Sequence, residues 1–215
     1  MSNIKRHSLH FNLYAITERT LCSPRLLYDI IHDLLDVGVS AIQLREKDLS
    51  DIEFIKLAEP ICKLCHSYAA QLFINSRIEI AIELGADGVH LPGDFASVRE
   101  VIRQTNGRFI IGCSVHTLDE AKRRESESAD FITYSPIYST TSKPGYGPAV
   151  GLNNLRQVTE AVRIPVFALG GITPQRVAEC IHAGAYGVAV MSGVMSPEKG
   201  AHQAKAYLQQ FSRFG

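Results

Sequence analysis

Eight short apolar segments recur along the chain at regular intervals, and this rhythm is the feature that most restricts the fold. The segments are rich in Val, Ile and Phe, and most of them lack the apolar–polar alternation of a half-exposed strand. Continuous apolar runs of this length indicate strands buried on both faces, as in a parallel sheet. They span residues 13–17, 41–45, 71–75, 88–91, 109–115, 131–137, 166–171 and 187–193.

Segments with helical spacing separate these runs, and their ends carry recognisable signals. Ser or Thr before Pro, and Thr with Glu three residues on, are typical of helix starts, whereas Gly is typical of the position after a helix. The predicted starts are Ser23-Pro24, Thr117 with Glu120, and Thr173-Pro174, and the predicted ends are Gly38, Gly85 and Gly184.

Eight strand–helix units in 215 residues predict an α/β fold of the (β/α)8 TIM-barrel type, as a single domain over residues 1–215. The alternative is an open, doubly wound sheet, whose first turn often carries G-x-G-x-x-G, a motif that this chain lacks. The phrases GADGVHL (85–91) and GAYGVAV (184–190) resemble each other, which is consistent with an internal repeat of barrel units.

Composition excludes several classes of partner. Lys plus Arg and Asp plus Glu number 22 each, so net charge gives no reason to expect binding to nucleic acid or to an anionic membrane. No apolar stretch approaches the ~20 residues of a membrane span, and the start lacks the apolar core of a signal peptide. We therefore expect a cytoplasmic protein whose five cysteines are free thiols.

One cysteine cluster, Cys62-Lys63-Leu64-Cys65-His66, matches the C-x-x-C-H pattern of covalent haem attachment. It lies inside a helical pattern in a chain without an export signal, and it has no second C-x-x-C to complete a zinc site. We interpret the match as coincidence.

In a barrel of this type the chemistry takes place at the carboxyl ends of the strands, where this chain carries polar side chains. Gln43, Arg45 and Lys47 alternate after the second run, so they share one face if the strand continues, and they suit an anionic group. His116 follows the fifth run, and histidine is the side chain that most readily transfers protons near neutral pH. The alternative interpretation of each is a solvated loop or a helix start without chemistry.

A phosphate site is predicted after the last two strands. Gly170 and Gly171 end the seventh run, and Ser192 and Gly193 end the eighth. Glycine amides and helix N-termini bind phosphate without a cation, and the loops after strands seven and eight form the usual phosphate site of such barrels. The long loop at 135–151 offers hydroxyl groups and a cation for a further anion, or is merely a surface loop.

Motifs in a consistent order along nearly the whole chain resemble the thiamine phosphate synthase and TenI-like thiazole tautomerase family. The resemblance implies the same barrel and two activities. The synthase couples a pyrimidine diphosphate with a thiazole phosphate, releases pyrophosphate and needs Mg²⁺, whereas the tautomerase moves a proton on a carboxythiazole phosphate and needs no metal. The motifs are LYAIT (13–17), QLREK (43–47), INSR (74–77), GADGVHL (85–91), GCSVHT (112–117), ADFITYSPIYSTTSKPGYG (129–147), ALGGIT (168–173) and GVAVMSG (187–193).

The resemblance also implies roles for individual residues. It places the thiazole phosphate on Gly170, Gly171, Ser192 and Gly193, and it makes His116 the proton shuttle of the tautomerase. It assigns the binding of a pyrophosphate or a substrate carboxylate to Gln43, Arg45, Lys47, Asn75, Ser114, Thr140, Ser142 and Lys143.

The residues that would bind Mg²⁺ are where the chain departs from the synthase pattern. Ser76 and Phe95 stand where the synthase carries two aspartates, and Asp94 lies one residue short of the second. Since Mg²⁺ favours carboxylate oxygens, this departure favours the tautomerase, with no cofactor, over the synthase, with Mg²⁺ near Asp94. The hydroxyl groups and Lys143 of STTSK favour the synthase instead. A third reading is a non-catalytic barrel that binds thiamine phosphate. We expect a small-molecule substrate, a thiazole phosphate, and a homodimer remains open.

Overall fold

The eight apolar runs form a closed parallel barrel in strand order β1 to β8, in which β1 also pairs in parallel with β8. The computed structural model describes residues 9–139 and 148–214. The strands are β1 (Leu13–Ile16), β2 (Ala41–Leu44), β3 (Gln71–Asn75), β4 (Gly88–Leu91), β5 (Ile110–Val115), β6 (Phe131–Tyr134), β7 (Val166–Leu169) and β8 (Gly187–Val190).

Eight α-helices in the described residues surround the strands, one after each strand. Their apolar faces pack on the outer side of the barrel and form the larger of two buried clusters. The helices are α1 (Leu27–Asp36), α2 (Asp51–Ser67), α3 (Ile78–Leu84), α4 (Val98–Gln104), α5 (Leu118–Ser126), α6 (Gly151–Ala161), α7 (Val177–His182) and α8 (Gly200–Phe211). The prediction of a (β/α)8 barrel is confirmed.

Most predicted strand runs continue past the last paired residue. The run to Gly171, for example, ends as a strand at Leu169, and the run to Gly193 ends at Val190. In these two runs the residues beyond the ladder line the cavity above the strands, where Gly171 and Met191 are partly buried and Ser192 is exposed. The sequence pattern therefore does not show where pairing stops.

The helix signals were mostly right. Thr117 and Glu120 form the predicted capping box of α5, and Gly38, Gly85 and Gly184 adopt φ values of 97°, 68° and 90° after their helices. The prediction at Ser23-Pro24 was wrong, because Arg25 N–H donates to Cys22 O in a turn and α1 begins only at Leu27.

Large and small residues alternate inside the barrel. Phe73, Phe131 and Phe167 point inward, and each ring lies over a glycine of a neighbouring strand. A Cβ atom at Gly88 would lie 2.7 Å from the Phe73 ring, at Gly112 2.3 Å from the Phe131 ring, and at Gly187 2.8 Å from the Phe167 ring. Gly88 and Gly187 occupy the same place in the repeated phrases, so the repeat has a packing cause.

The five cysteines are free and buried, as expected. In the C-x-x-C-H stretch, both thiols are enclosed by α2 and its neighbours, and burial raises the pKa of the Cys65 thiol to about 12. Cys62 donates instead to the carbonyl of Leu84. The cluster is part of the packing, which agrees with reading the motif as coincidence. Among the described residues, no helix is both long enough and apolar enough to cross a membrane.

Candidate active site

A cavity of about 520 Å³ opens at the carboxyl ends of the strands. The side formed by β2 to β6 is polar, and the side formed by β1, β7 and β8 is apolar apart from backbone groups and the Ser192 side chain. The polar side includes Gln43, Arg45, Lys47, Asn75, His90, Ser114, His116 and Thr133, and the apolar side includes Ile16, Leu169, Ala189, Val190 and Met191. A flat ring with charged substituents fits such a two-sided cavity.

Gln43, Arg45 and Lys47 all line the cavity, as their alternation predicted. Gln43 is buried, and its Nε2 makes no hydrogen bond with any described residue. A buried amide without a partner is costly, so its place in the cavity wall makes it available to a ligand acceptor.

Glu46, between Arg45 and Lys47, holds this strand end in place. Its carboxylate is buried and accepts hydrogen bonds from Thr17 Oγ1 at 2.6 Å and from the Arg19 backbone N–H at 3.1 Å. Thr17 Oγ1 in turn accepts from the Arg45 backbone N–H at 2.9 Å. Burial raises the pKa of Glu46, opposed by the bond from Thr17. The network joins LYAIT to QLREK and fixes the two cations at the rim.

His116 is partly buried at the start of α5. Its Nδ1 lies 2.8 Å from the backbone oxygen of Ser135, and its backbone N–H donates to Glu120 Oε2 at 2.6 Å. A carbonyl oxygen can only accept, so the proton of the neutral imidazole is on Nδ1 and the lone pair is on Nε2. This is the tautomer that a base at Nε2 requires.

His90 is a second cavity histidine, which the sequence interpretation did not select. It is fully enclosed, with Nε2 at 3.0 Å from Ser114 Oγ and Nδ1 at 3.5 Å from the Tyr14 hydroxyl. Burial, with a smaller contribution from Arg45, lowers the His90 pKa to about 3. His90 pairs in register with Asn75, so inward alternation from Asn75 is the signal that would have found it.

The predicted phosphate residues lie together at the rim of β7 and β8. Gly170, Gly171, Ser192 and Gly193 all line the cavity. Within residues 9–139 and 148–214, the backbone N–H groups of Gly171 and Gly193 donate no hydrogen bond. Two glycine amides without partners at one end of a cavity form an arrangement that suits a phosphate.

We call Gly170, Gly171 and Gly193 the glycine cradle, and neighbouring groups fix its backbone. Tyr207 of α8 donates its hydroxyl to the Ile172 carbonyl at 2.8 Å, and Arg176 donates to the Gly171 carbonyl at 2.6 Å. Gly171 has a φ of 63°, and a Cβ there would lie 2.7 Å from the Ser139 carbonyl. Both facts require glycine at this position, since a side chain would be strained and would collide with the loop after β6.

Thr140, Ser142 and Lys143 lie outside the described residues, so their predicted contact with an anion stays a prediction. The segment just before them, at residues 137–138, is hydrogen-bonded to the end of β7. Ile137 N–H donates to the Leu169 carbonyl at 2.9 Å, and Tyr138 N–H donates to the Gly170 carbonyl at 3.0 Å. The loop after β6 therefore starts beside the phosphate site.

The described residues do not fit a Mg²⁺ ion bound by two carboxylates. Ser76 Oγ accepts a hydrogen bond from Asn75 Nδ2 at 2.8 Å, and Phe95 packs against the apolar core. Asp94 lines the cavity, but Glu120, the other acid there, is committed to the backbone of His116. No group of three or more metal-binding side chains occurs among the described residues. Mg²⁺ would therefore find one uncommitted carboxylate here.

The closed barrel, with two glycine amides and a histidine beside a cavity at the carboxyl ends of its strands, has the architecture typical of phosphate-binding barrel enzymes. Comparison with known proteins gives the family. The sequence profile of thiamine monophosphate synthase matches residues 13–194. The chain belongs to the thiamine monophosphate synthase family of thiamine biosynthesis.

Individual relatives agree with this placement. A protein of Aquifex aeolicus, provisionally named thiamine-phosphate synthase 2, is 47% identical over 84% of this chain and 95% of its own length. Thiamine-phosphate synthase of Roseiflexus castenholzii is 38% identical over 85% of this chain and 80% of its own. The structure of thiamine phosphate pyrophosphorylase from Pyrococcus furiosus has a TM-score of 0.85 at 30% identity, covering 94% of this chain and 96% of that one.

These comparisons confirm the family that the motifs suggested. The names of the relatives favour the coupling activity over the proton shift that Ser76 and Phe95 led us to expect. The local chemistry of the site and the names of the relatives thus point to different members of one family.

Proposed function

We propose that this enzyme shifts a proton on a carboxythiazole phosphate and thereby makes the thiazole ring aromatic, without a metal. The observation that carries the proposal is the fixed tautomer of His116, whose Nδ1 is bonded to the Ser135 carbonyl in a cavity that is also lined by glycines after β7 and β8 and by cations after β2, two groups that suit anions. A phosphate and a carboxylate on one small ring match these two groups.

Each step follows from the positions of the side chains. The substrate phosphate binds the amides of Gly171 and Gly193, and its carboxylate meets Arg45 or Lys47 after β2, which β1 separates from β8. His116 Nε2 takes a proton from the saturated ring carbon and returns one to the exocyclic carbon, so no atom is gained or lost. The gain in aromaticity drives the reaction, and a neutral histidine is the base required at the start.

The coupling of a pyrimidine diphosphate with a thiazole phosphate is the second candidate. It is favoured by the names of the relatives and by the group Gln43, Arg45, Lys47 and Asn75, which suits a diphosphate. Because the residues at positions 76 and 95 do not fit Mg²⁺, we derive no step through that ion. In the coupling, released pyrophosphate would be neutralised only by the cations of the rim.

One set of turnover assays separates the candidates. The purified enzyme is given the carboxythiazole phosphate tautomer alone, and in parallel a pyrimidine diphosphate with a thiazole phosphate, each with Mg²⁺ and with EDTA. We expect isomerisation at the same rate in both conditions and no thiamine phosphate. Thiamine phosphate formed only with Mg²⁺ would contradict the proposal and establish the coupling. Binding of thiamine phosphate with no turnover of any substrate would leave a binding protein.

A further inference from the structure

Arg124 on α5 is a fully buried arginine at the back of the candidate active site. Buried guanidinium groups are rare, because removing their charge from water is costly unless partners compensate. Here Nη1 pairs with Glu127 at 2.7 Å, while Nη2 donates to the backbone carbonyls of Gly93 at 2.9 Å and Phe95 at 2.7 Å. The charge is therefore directed at the loop after β4.

This loop, residues 92–95, is a tight turn that forms one wall of the cavity. Phe95 N–H donates back to the Pro92 carbonyl at 3.1 Å, and the Phe95 ring packs into the core. Gly93 lies close to His116, since a Cβ added at Gly93 would make van der Waals contact with His116 Cδ2 at 3.7 Å and Nε2 at 3.9 Å. The loop thus borders the Nε2 edge of the imidazole.

One helix holds both sides of this contact. Glu120 binds the backbone N–H of His116, and Arg124, four residues later on the same helix, binds the loop that borders its imidazole. A small movement of a reacting group lowers the rate strongly. Phe95 stands where the family resemblance implies a metal-binding carboxylate. Here its backbone carbonyl accepts a hydrogen bond from Arg124 instead.

We propose that Arg124 is a positioning residue for the reaction: it holds the loop at 92–95 against His116 and so sets the geometry of the imidazole towards the ring. This inference rests on the proposed function for its kinetic consequence but not for its structural one. The glycine cradle and the cations of β2 lie on other strands, so substrate binding does not depend on Arg124.

The test compares Arg124→Met and Arg124→Lys with Arg123→Met. Arg123 reaches the same Gly93 carbonyl at 3.3 Å, but it does so from the surface, which makes it the matched control. We expect Arg124→Met to lower kcat by about tenfold to a hundredfold with KM changed less than about twofold. Arg124→Lys keeps the positive charge and an N–H donor group, so it should recover part of the loss. Arg123→Met should behave as wild type.

An NMR measurement makes the inference independent of turnover. The side-chain resonances of His116, assigned with His116→Gln, should move in Arg124→Met and stay in place in Arg123→Met. If the wild-type enzyme fails to isomerise the substrate, the proposed function falls and the resonances still decide the role of Arg124. A folded Arg124→Met with unchanged His116 resonances and kcat would overturn the inference. If Arg124→Met does not fold, Arg124→Gln, which loses the charge, supplies the same comparison, and unchanged resonances and kcat there would overturn the inference too.

Discussion

Two histidines face the same cavity, and the structure gives them opposite surroundings. His90 on β4 is enclosed by the rings of Tyr14 and Phe131 and by two hydroxyl groups, and burial lowers its pKa to about 3. His116, directly after β5, is partly exposed and is fixed through Nδ1 by a backbone carbonyl. The same side chain is an enclosed hydrogen-bonding group in one place and the proposed proton carrier in the other.

The difference shows that presence in an active-site cavity is not enough to identify a base. His90 is surrounded by groups that desolvate it, so gaining a proton would cost free energy that no neighbouring acid returns. His116 has a defined tautomer and access to the cavity, which are the two conditions for general base catalysis. We expect the following measurements to separate the two histidines, beginning with the largest effect.

Replacing His116 by Gln should remove the proton carrier while keeping a polar side chain. The rate of isomerisation should fall by about 10²–10⁴-fold, the usual contribution of general acid–base catalysis. Calorimetry with a thiazole phosphate should show unchanged affinity, since the glycine cradle is on β7 and β8. Full activity in this variant would show that His116 is not the base, and the two histidines would then not differ in catalytic role.

Replacing His90 by Gln should alter the pH dependence of stability. The His90 pKa is about 3 in the folded chain and about 6.5 when unfolded, so between these values the unfolded chain binds the extra proton. Wild type therefore loses stability as pH falls, by about 1.4 kcal/mol per pH unit for this group, or about 2 kcal/mol between pH 6.5 and 5. Urea unfolding across that range should show this loss reduced in His90→Gln, and parallel curves would mean that His90 is solvated.

Replacing Ser114 by Ala should test the hydrogen bond that supports His90. Its hydroxyl lies 3.0 Å from His90 Nε2, and Thr133 at 3.4 Å is the remaining partner. Loss of the bond should lower the free energy of unfolding by about 1 kcal/mol. In urea unfolding at pH 7, a cost near zero would indicate that Thr133 alone satisfies the imidazole.

Replacing Ser135 by Ala should have the smallest effect. The Ser135 hydroxyl lies 3.4 Å from His116 Nδ1, but the backbone carbonyl at 2.8 Å sets the tautomer and survives the substitution. We expect kcat to fall by about twofold or less. A loss comparable with that of His116→Gln would mean that the hydroxyl, not the carbonyl, controls the proton on the imidazole.

The sequence predicted the features that depend on local pattern. Buried strands, glycine helix ends and the cluster of Gly170, Gly171, Ser192 and Gly193 follow from runs of residues next to one another in the chain. The roles of Glu46 and Arg124 could not be read in this way. Each acts across elements that are far apart in the chain, and a charged residue in a charged stretch looks solvated until the fold buries it.

His90 differs from both groups, because its position in the sequence is compatible with a cavity residue and with a core residue. It lies inside the apolar run GVHL, where a histidine resembles a core residue. Only the pairing of β3 with β4, which aligns it with Asn75, shows that it points into the barrel at the level of the site. Register between strands is a tertiary property, so the sequence alone did not separate His90 from the core.

The Phe131 ring, which lies over Gly112 of the neighbouring strand, implies coupled substitution inside the barrel. Gly112→Ala alone forces a methyl group to within 2.3 Å of the Phe131 ring, whereas Phe131→Leu alone leaves a space. The double variant removes both faults, so its loss of stability should be smaller than the sum of the two single losses. Phe73 with Gly88 and Phe167 with Gly187 should not behave likewise, because a Cβ at either glycine would also lie 2.3 Å from a backbone carbonyl, that of Ile110 or of Asn12. A smaller ring leaves that collision in place, so only the pair on β5 and β6 can change by compensation.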